Sequence, residues 1–525
     1  MGLQDETVLS VDVGTQSVRA LVFDMKGNVV DLAQVVYSPA YFSPRPGWAE
    51  QDPEYYWQCI VEACQRLWKN GIVTPHSLKA VALTTQRGTV INLDEEGKPL
   101  RPAILWLDQR RAKQLPSVGA GWDLLFKLTG LHKTVNYLQA EAEINWIGEQ
   151  QPEILEKTKT YLFLSGYLTY RITGNLIDSI GTQVGYVPFD YKNQKWLRQK
   201  DWKWRAIPVS PDTVPPLLPP GERLGVVTAS ASRETGLPQG LPLIAAASDK
   251  ACEVLGSGCH LLNQGCIGYG TTATIIVNSQ KYIEPIPLVP AYPSANAGEY
   301  NLEVQTFRGF WMASWFKEQF AAKENELALE LGIATEALLD EMAREVPPGS
   351  MGLMLQPYWS PGIRYPHPEA KGAIIGFGSV HTKAHMYRSL LEGLAFAVRE
   401  GRERIERRSK AKITELYVSG GGSKSDLMMQ ITADVFGLET RRPAVSETSG
   451  LGAAMLACVG VGLHPNLQTA VREMARVGDV FEPNRDNALV YDQLYRQIYG
   501  KLYGRLRTFY QSIQQITGYP EIPGS

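Results

Sequence analysis

The segment Leu9-Ser-Val-Asp-Val-Gly-Thr-Gln-Ser-Val-Arg-Ala-Leu-Val-Phe-Asp24 decides the fold of this chain, because it predicts two apolar strands joined by a short polar turn. Asp12 lies inside the first predicted strand, where a charged side chain requires a partner. The turn consists of Gly14, Thr15, Gln16 and Ser17. Glycine lets the backbone approach a ligand closely, and the amides and hydroxyls around it can bind phosphate oxygens. An aspartate beside such a turn can hold Mg²⁺, directly or through water, although an ordinary β-hairpin explains the segment equally well.

Length and composition indicate a globular protein with more than one domain. The 525 residues are too many for one ordinary hydrophobic core, so we expect two domains or three. Hydrophobic residues make up 44% of the chain, and a formal net charge of -2 gives no attraction to nucleic acid or to an anionic membrane. The longest apolar stretch, residues 453–463, is too short to cross a bilayer. We therefore expect no nucleic-acid partner and no membrane span.

Cysteine usage and the first residues of the chain predict a cytoplasmic protein. Six cysteines in so long a chain do not make a disulfide framework, and no Cys-x-x-Cys pair is present. The N-terminal residues lack the basic start and apolar run of a secretory signal. One cluster consists of Cys252, Cys259, His260 and Cys266. Its spacing matches no common zinc pattern, so we interpret these side chains as packing residues.

A second strand–turn–strand unit follows in the other half of the chain. Residues 243–247 predict a short apolar strand that delivers Asp249 at its end. Residues 264–269 and 273–277 predict two further strands around a turn of Gly270, Thr271 and Thr272. This unit repeats the arrangement of residues 9–23, and either a duplicated fold or the chance similarity of two hairpins can explain the repeat.

A third glycine-rich turn lies closer to the C-terminus. Residues 416–419 predict a strand, Gly420-Gly421-Gly422-Ser423 follow, and a helix is predicted from about residue 424 to 436. A strand, a glycine turn and a helix N-terminus together can bind the anionic end of a nucleotide or allow close approach of its sugar. A plain glycine-rich connection between a strand and a helix is the alternative interpretation.

Together these turns resemble those of the FGGY carbohydrate kinases, a family with the actin-like (ribonuclease H-like) ATPase fold. The resemblance covers nearly the whole chain. Residues 12–17 are similar to the first phosphate motif of the family, residues 270–272 to the second, and residues 419–424 to its adenosine motif. Residues 46–53 are similar to the N-terminal loop of the family, and residues 372–392 to its second signature.

The resemblance implies an α/β fold with two actin-like ATPase domains and a cleft between them. The expected N-terminal domain, residues 1–247, carries the sugar-binding side and the first phosphate hairpin. The expected C-terminal domain, residues 248–525, carries the ATP-binding side. Because relatives often form dimers, a homodimer is also expected.

The resemblance further implies ATP-dependent phosphorylation of a hydroxyl group on a small sugar or polyol. An alcohol is a poor nucleophile at neutral pH, so a carboxylate must accept its proton during the attack, and Asp249 is the expected general base. Asp12 and Asp249 are the expected Mg²⁺ ligands. The residues expected to contact ATP are Gly14, Thr15, Gln16, Ser17, Arg19, Gly270, Thr271, Thr272, Gly421, Gly422 and Asp426. An outward-facing strand arginine is an equally good interpretation of Arg19.

The acceptor is expected to lie on the N-terminal domain. The residues expected to contact it are Gln86, Arg87, Trp106, Asp108 and Asp249. Trp106 can cover the apolar face of a sugar, unless it packs in the core, while Arg87 and Asp108 can hydrogen-bond hydroxyl groups. At the positions of Arg87 and Gly88, glycerol-type members carry Arg-Glu and xylulose-type members carry Met-His. This chain matches neither pair, so the pair does not identify the acceptor.

Two further positions depart from the family pattern, and several acceptors stay open. Glu143 stands where the first family signature has lysine, and Lys250 stands where many members have glutamine. A ketose such as xylulose is the expected acceptor. Residues 346–350 and 420–424 are similar to those of autoinducer-2 kinases, and a glycerol-type acceptor is a further alternative. An actin-like ATPase or a nucleotide-sensing regulator would use the same turns without a sugar, but Trp106 and Asp249 argue against that class.

Overall fold

The computed structural model describes residues 6–360, 362 and 365–519. Its strands are β1 Thr7–Val13, β2 Ser17–Asp24, β3 Val29–Val36, β4 Glu50–Gln51, β5 Leu78–Thr85, β6 Val90–Leu93, β7 Ala103–Ile104, β8 Thr160–Phe163, β9 Asp178–Ser179, β10 Phe189–Asp190, β11 Lys195–Trp196, β12 Leu217–Leu218, β13 Arg223–Val226, β14 Pro242–Ala245, β15 Gln264–Tyr269, β16 Ala273–Ser279, β17 Tyr292–Pro293, β18 Tyr300–Thr306, β19 Met354–Gln356, β20 Ala373–Ile375, β21 Glu415–Ser419, β22 Thr440–Pro443 and β23 Val477–Phe481.

The α-helices are α1 Pro53–Asn70, α2 Ala120–Leu128, α3 His132–Glu141, α4 Glu143–Gln150, α5 Pro152–Lys157, α6 Leu164–Thr173, α7 Lys203–Ala206, α8 Ala229–Thr235, α9 Asp249–Gly256, α10 Trp311–Phe320, α11 Ala322–Leu331, α12 Thr335–Arg344, α13 Lys383–Ser409, α14 Asp426–Phe436, α15 Thr448–Gly460, α16 Leu467–Met474, α17 Arg485–Leu494 and α18 Gly500–Thr517. Short 3-10 helices lie at Pro75–Ser77, Ile180–Thr182, Pro211–Thr213, Ser350–Gly352 and Gly421–Lys424, and a π-helical turn at Tyr495–Tyr499 joins the last two α-helices.

The first large sheet has six strands in the order β13-β14-β5-β1-β2-β3. Strand β1 pairs antiparallel with β2 and parallel with β5, and β5 pairs parallel with β14. The central strands β1 and β5 are apolar and buried along nearly their whole length, as expected for strands covered on both faces. The register of β1 and β2 places Asp12 directly opposite Arg19. The predicted first hairpin is therefore present, and its turn lies at the end of the sheet at which β5 also ends.

The second large sheet repeats this arrangement. Its seven strands have the order β17-β18-β16-β15-β21-β22-β23. Strand β15 pairs antiparallel with β16 and parallel with β21, as β1 does with β2 and β5. The similarity between the two hairpins thus includes the parallel strand that pairs with the first strand of each. A chance likeness of two short motifs does not explain this shared pairing.

A shared helical layer connects the two sheets. Helices α9 and α15 pack against each other, and their apolar residues form one core with Leu21 and Phe23 of the first sheet. The helices approach closely because glycines face the partner backbone: a β-carbon at Gly452 would lie 2.0 Å from the carbonyl oxygen of Cys252. A β-carbon at Gly256 would lie equally close, 2.0 Å, to the carbonyl oxygen of Thr448. Since α9 begins at Asp249, this layer fixes the predicted base relative to both sheets.

A small four-stranded sheet, with the order β4-β7-β6-β8, carries the segments predicted to bind the acceptor. Arg87 lies just before β6, and Trp106 follows β7 by two residues. The sheet is antiparallel throughout, and all four residues of β6 are buried. Both segments are therefore attached to a rigid element rather than to a free loop.

Among the described residues, no helix combines the length and the apolar character needed to cross a membrane. The six cysteines are all buried and unpaired. Cys259 and Cys266 pack with Val254, Ile276 and Tyr417, in agreement with the packing interpretation of that cluster. Within the part of the chain that the structure describes, no group of three or more His, Cys, Asp or Glu side chains is arranged to hold a metal ion.

Candidate active site

A buried carboxylate, that of Asp12, lies two residues before the first turn, residues 14–17. Asp12 is 6% exposed at the end of β1, and Arg19 Nη1 lies 3.5 Å from its carboxylate. Burial raises the pKa of Asp12 to about 7; Arg19 lowers it, while Asp249 and Glu447 raise it further. Arg19 also lies 3.4 Å from Glu447, so this arginine bridges two carboxylates instead of facing outward. The proximity of Asp249 to Asp12 brings the two predicted metal ligands together.

The first turn is also connected to the acceptor side by hydrogen bonds. Trp106 Nε1 donates to Thr15 Oγ1 at 2.9 Å, and the same hydroxyl donates to Gln86 Oε1 at 2.9 Å. The backbone amide of Gln86 in turn donates to the carbonyl of Val13. The side chain of Gln16 is exposed, and the buried Ser17 hydroxyl accepts from Gln34. Displacement of Trp106 would therefore displace the turn predicted to hold phosphate.

Asp249 is the first residue of α9, and the segment before it is held by the neighbouring chain. Ser179 and Thr84 donate to the carbonyls of Ala246 and Ala247, and the amide of Ser248 donates to the carbonyl of Gly181 at 3.0 Å. Burial raises the pKa of the Asp249 carboxyl, and Arg87 and Lys250 lower it. A half-buried carboxylate fixed in position, with a raised pKa, has the properties of a general base.

Arg87 is not free to bind a ligand in the way that its sequence context indicated. Its guanidinium donates to both carboxylate oxygens of Glu303, at 2.7 and 2.9 Å. Glu303 lies on β18 of the second sheet, so this bidentate ion pair crosses the cleft. Arg87 also lies 5.4 Å from the ring of Tyr292 and interacts with the charge of Asp249. Arg87 thus connects the small sheet to the C-terminal half directly beside the predicted base.

Asp108 is engaged by its own neighbours. Its carboxylate accepts hydrogen bonds from the Arg110 side chain and from the backbone amide of Ala49 at 2.6 Å. The Arg110 guanidinium lies 3.9 and 4.6 Å from the ring centres of Trp48 and Trp146. Little hydrogen-bonding capacity is left on Asp108 for a sugar, whereas the half-exposed ring of Trp106 remains accessible.

Gly88 is required by its backbone conformation. Its φ is +64°, in the left-handed region that favours glycine. A β-carbon there would lie 3.4 Å from the β-carbon of Trp106. The absence of a second polar side chain after Arg87 therefore has a local structural cause.

The second turn, residues 270–272, adjoins the glycine turn, residues 420–424. A β-carbon at Gly420 would lie 2.8 Å from the carbonyl oxygen of Tyr269, so these backbones are in contact. Gly309 and Phe310 fix the second turn from behind, since their amides donate to the carbonyls of Thr271 and Gly270 at 2.9 Å. The Thr271 side chain is exposed, whereas that of Thr272 is buried.

The predicted adenosine residues differ in what they face. A β-carbon at Gly421 would meet nothing closer than the Tyr269 carbonyl oxygen at 4.0 Å, so this glycine borders open space. Gly422 is packed, since a β-carbon there would lie 2.7 Å from the Phe310 ring. Asp426 is exposed, and its carboxylate accepts from Arg442 at 2.6 Å. Gly421 is thus the position of the pair that is open to a ligand.

A buried network connects the helix of the base to the second hairpin. Lys250 Nζ donates to Glu253 at 2.6 Å, and Glu253 accepts from the Ser419 hydroxyl at the end of β21. A β-carbon at Gly268, on β15, would lie 3.0 Å from Lys250 Nζ. The structure therefore joins the helix of Asp249 to β15 and to the strand that leads into the glycine turn.

Sequence reasoning missed Glu303, Glu253 and Gly309. Glu303 carried a signal, because it stands between Leu302 and Val304 in β18, and a buried acidic side chain needs a cation, as Asp12 does in β1. Gly309 carried none, since its role depends on a contact with the Ala273 backbone, where a β-carbon would lie 2.0 Å from the amide nitrogen.

Comparisons with known proteins agree with this arrangement. Residues 7–256 match the N-terminal domain of the FGGY family of carbohydrate kinases, and residues 265–461 match its C-terminal domain. The chain is 29% identical to an uncharacterized sugar kinase, YgcE, of Escherichia coli K12 over 93% of this chain and 91% of that protein. It is 28% identical to the autoinducer-2 kinase of Escherichia coli K12/DH10B, over 92% of each chain. The crystal structure of xylulose kinase from Rhodospirillum rubrum matches with a TM-score of 0.80 and 27% identity, covering 96% of this chain and 100% of that one.

The chain therefore belongs to the FGGY family of carbohydrate kinases. This confirms the predicted α/β fold with two actin-like ATPase domains and the prediction that the protein is an enzyme of the sugar kinase class. ATP is the phosphate donor of the family, and a small-molecule sugar is the class of acceptor.

Proposed function

We propose that this kinase transfers the γ-phosphoryl group of ATP to a hydroxyl of a ketose or polyol, with xylulose as the leading candidate and Asp249 as the general base. The observation that carries the proposal is the position of Asp249. It lies at the start of α9, within electrostatic reach of Asp12 and Arg87, in a cleft bordered by both turns.

The proton of the acceptor hydroxyl would move to the Asp249 carboxylate as the oxygen attacks phosphorus. The raised pKa of this carboxyl makes it a better proton acceptor than an exposed aspartate, while Arg87 and Lys250 lower the pKa and so favour its ionised form. Phosphoryl transfer otherwise depends on positioning and on charge neutralisation. Trp106 would position the sugar, because its ring is half-exposed and its indole N–H is fixed by Thr15.

The two turns and the glycine turn would hold the nucleotide. The backbone at Gly14 and Gly270 leaves room for a phosphate to approach, since a β-carbon at either glycine would make no contact under 3.4 Å. Gly421 would face the adenosine. Arg19, already beside Asp12, would neutralise phosphate charge.

Asp12 and Asp249 fit a divalent cation. The charge of Asp249 raises the pKa of Asp12, and a cation placed between the two carboxylates would relieve this repulsion. Mg²⁺ is usually bound by one or two carboxylates together with substrate phosphates, which is the donor set available here. When bound, Mg²⁺ would neutralise the charge on the phosphates during transfer.

Several contacts cross the cleft on the acceptor side. Besides the Arg87–Glu303 pair, Gln194 donates to the carbonyl of Glu299 at 2.7 Å, and the rings of Tyr191 and Tyr292 lie 5.8 Å apart. These contacts join the two halves on the acceptor side. Closure would exclude water from the phosphoryl group and so suppress ATP hydrolysis.

The acceptor is identified by measuring ADP release with Mg-ATP and a panel that contains xylulose, other ketoses and polyols, glycerol and autoinducer-2. We expect a sharp response to one ketose or polyol. A response to autoinducer-2 or to glycerol alone would replace xylulose as the acceptor. Steady ADP release that no compound stimulates would reject the proposal in favour of an ATPase or regulator.

A further inference from the structure

One arginine beside the glycine turn, residues 420–424, binds three separate segments of the C-terminal half. Arg442 lies on β22, and its side chain is 21% exposed. Its Nε donates to the carbonyl of Ser423 at 2.7 Å, and its Nη2 donates to the Asp426 carboxylate at 2.6 Å. Its Nη1 donates to Asp479 on β23 at 2.7 Å. The guanidinium therefore connects the glycine turn, the start of α14 and an edge strand of the second sheet.

The position of this guanidinium is itself well defined. Strand β22 pairs parallel with β21, which leads directly into the glycine turn, and antiparallel with β23. The ring centre of Phe481 lies 5.1 Å from the guanidinium carbon of Arg442, within the range of a cation–π contact. A planar guanidinium holds its donors in a rigid fork, so one side chain can bind three acceptors in a defined geometry. A lysine ammonium on a flexible stem does not impose that geometry.

The contact with Ser423 fixes the backbone of the glycine turn. The hydroxyl and the amide of Ser423 both donate to the carbonyl of Gly420, at 2.7 and 3.1 Å. These two bonds close the turn on itself, and Arg442 attaches the closed turn to β22. Gly421, the glycine that borders open space, lies inside this closed turn. Its position relative to the sheet therefore depends on Arg442.

The contact with Asp426 restrains a side chain of the same region. Asp426 is the first residue of α14, and its carboxylate is exposed. Arg442 engages one oxygen of this carboxylate in a charge-assisted hydrogen bond. Without that bond, an exposed aspartate is free to change its rotamer. Arg442 thus restrains both the backbone and one side chain of the segment predicted to lie beside the adenosine.

We propose that Arg442 is a positioning residue of the nucleotide site, which fixes Gly421 and Asp426 for the adenosine of ATP. This inference rests on the proposed function, because it concerns the nucleotide of that reaction. Arg442 has no direct part in phosphoryl transfer and none in binding the acceptor. Its loss should therefore weaken nucleotide binding far more than it changes the chemical step or acceptor binding.

The neighbouring Arg441 provides a matched control. Its side chain is 27% exposed, and it also makes three hydrogen bonds. Its Nε donates to Glu439 at 2.6 Å, and its Nη1 donates to Glu415 and to the Tyr417 hydroxyl at 2.8 and 2.9 Å. Successive side chains of a strand point to opposite faces, and none of these partners belongs to the glycine turn or to α14. Replacing either arginine by methionine thus removes the same number of hydrogen bonds.

The test measures ADP binding by calorimetry and steady-state kinetics with the acceptor found in the ADP-release panel. Arg442→Met is expected to weaken ADP binding and to raise the KM for ATP at least about tenfold, because several hydrogen bonds that order the site are lost. Its kcat and its KM for the acceptor are expected to stay within about threefold of the wild type. Arg441→Met is expected to match the wild type in all four quantities.

Thermal unfolding verifies that each variant is folded. If Arg442→Met does not fold, Arg442→Lys takes its place, with the same pattern and a loss of ADP affinity of about threefold or more, because the ammonium lacks the rigid fork. Unchanged ADP binding in the folded Arg442 variant, or an equal loss in Arg441→Met, would overturn the inference. A rise in the KM for the acceptor as large as that for ATP would also overturn it.

ADP binding separates this inference from the proposed function. If ADP binds more weakly to Arg442→Met but the wild type phosphorylates no compound, the proposed function fails and the positioning role holds. If the wild type phosphorylates a sugar but folded Arg442→Met binds ADP normally, the positioning role fails and the function holds. If the wild type binds no ADP, both are rejected.

Discussion

The hairpin of β1 and β2 can be aligned with that of β15 and β16 by counting back from their turns. Asp12 stands two residues before Gly14, and Gly268 stands two residues before Gly270. Each is the partner of an antiparallel neighbour, Arg19 in one sheet and Thr274 in the other. The same backbone position thus carries a buried carboxylate in one half of the molecule and no side chain in the other.

Because Gly268 has no side chain, two side chains of α9 occupy the space beside it. Lys250 and Glu253 would lie 3.0 and 2.9 Å from a β-carbon there. The first hairpin therefore contributes negative charge to the cleft, while the second leaves room for a lysine–glutamate pair next to the base. The two structurally similar halves can therefore have different roles. The first hairpin is suited to hold a cation, and the second to support the helix of Asp249.

Among the variants that test this difference between the two hairpins, removal of the Asp12 carboxylate should lower activity the most. Asp12→Ala is expected to lower kcat by about 10²–10³-fold, since it removes a group that would hold Mg²⁺ where charge develops. Steady-state kinetics over a Mg²⁺ titration measure the change. Asp340→Asn, at a buried carboxylate that accepts from Tyr387 on α13, serves as the control and should keep wild-type kcat. Normal turnover by Asp12→Ala would mean that the first hairpin has no such role.

The same carboxylate should make stability depend on pH when Mg²⁺ is absent. The pKa of Asp12 in the folded protein is about 7, above its ordinary value of 3.8, so the folded state favours the protonated form. Stability contributed by this group is therefore lost as pH rises from about 4 to 7, by up to about 4 kcal/mol. Asp12→Asn should reduce this slope, which chemical denaturation at pH 5 and pH 8 can measure. An identical slope in the variant would refute the assignment.

The second turn should be sensitive to its backbone support instead. Gly309→Ala places a β-carbon 2.0 Å from the amide nitrogen of Ala273, which neither backbone can accommodate without moving. We expect a loss of about 1–3 kcal/mol in the free energy of unfolding and a higher KM for ATP. Gly504→Ala, in α18 with no atom within 4 Å, should be neutral or slightly stabilising. A Gly309→Ala protein with wild-type stability and KM would show that the turn does not depend on this contact.

Loss of the hydrogen bond between Trp106 and Thr15 should have the smallest effect on activity. Trp106→Phe keeps an aromatic ring at the position proposed to cover the acceptor but loses the indole N–H that donates to Thr15 of the first turn. A loss of about 1 kcal/mol corresponds to a roughly fivefold decrease in kcat/KM, for ATP as well as for the acceptor. An effect confined to the acceptor would show that the two sides are not coupled through this bond.

Much of the fold was accessible from sequence, because the decisive signals are local. Asp12 inside an apolar strand and glycines directly after strands indicate both hairpins and the glycine turn. The tyrosines of the C-terminal helices are spaced four residues apart, and Tyr491, Tyr495 and Tyr499 pack against Phe396.

The site was less accessible because its side chains are engaged by residues far away in the chain. Arg87 forms an ion pair with Glu303, 216 residues further along the chain, and no local sequence pattern predicts that partner. Asp108 had the chemistry of a sugar ligand, but Arg110 and Ala49 occupy its oxygens. Gly422 is a predicted nucleotide contact, and a β-carbon there would lie 2.7 Å from the Phe310 ring. Residue type and spacing indicate what a side chain can do, while the tertiary contacts decide what remains available.

The most direct test of the account is phosphorylated-sugar formation by Asp249→Asn, with the acceptor found in the ADP-release panel. The account predicts a roughly 10²–10⁴-fold loss of phosphoryl transfer in a protein that unfolds at the wild-type temperature and still binds ATP. Asp340→Asn should retain wild-type transfer. Near-normal transfer by Asp249→Asn would contradict the assignment of Asp249 as the base.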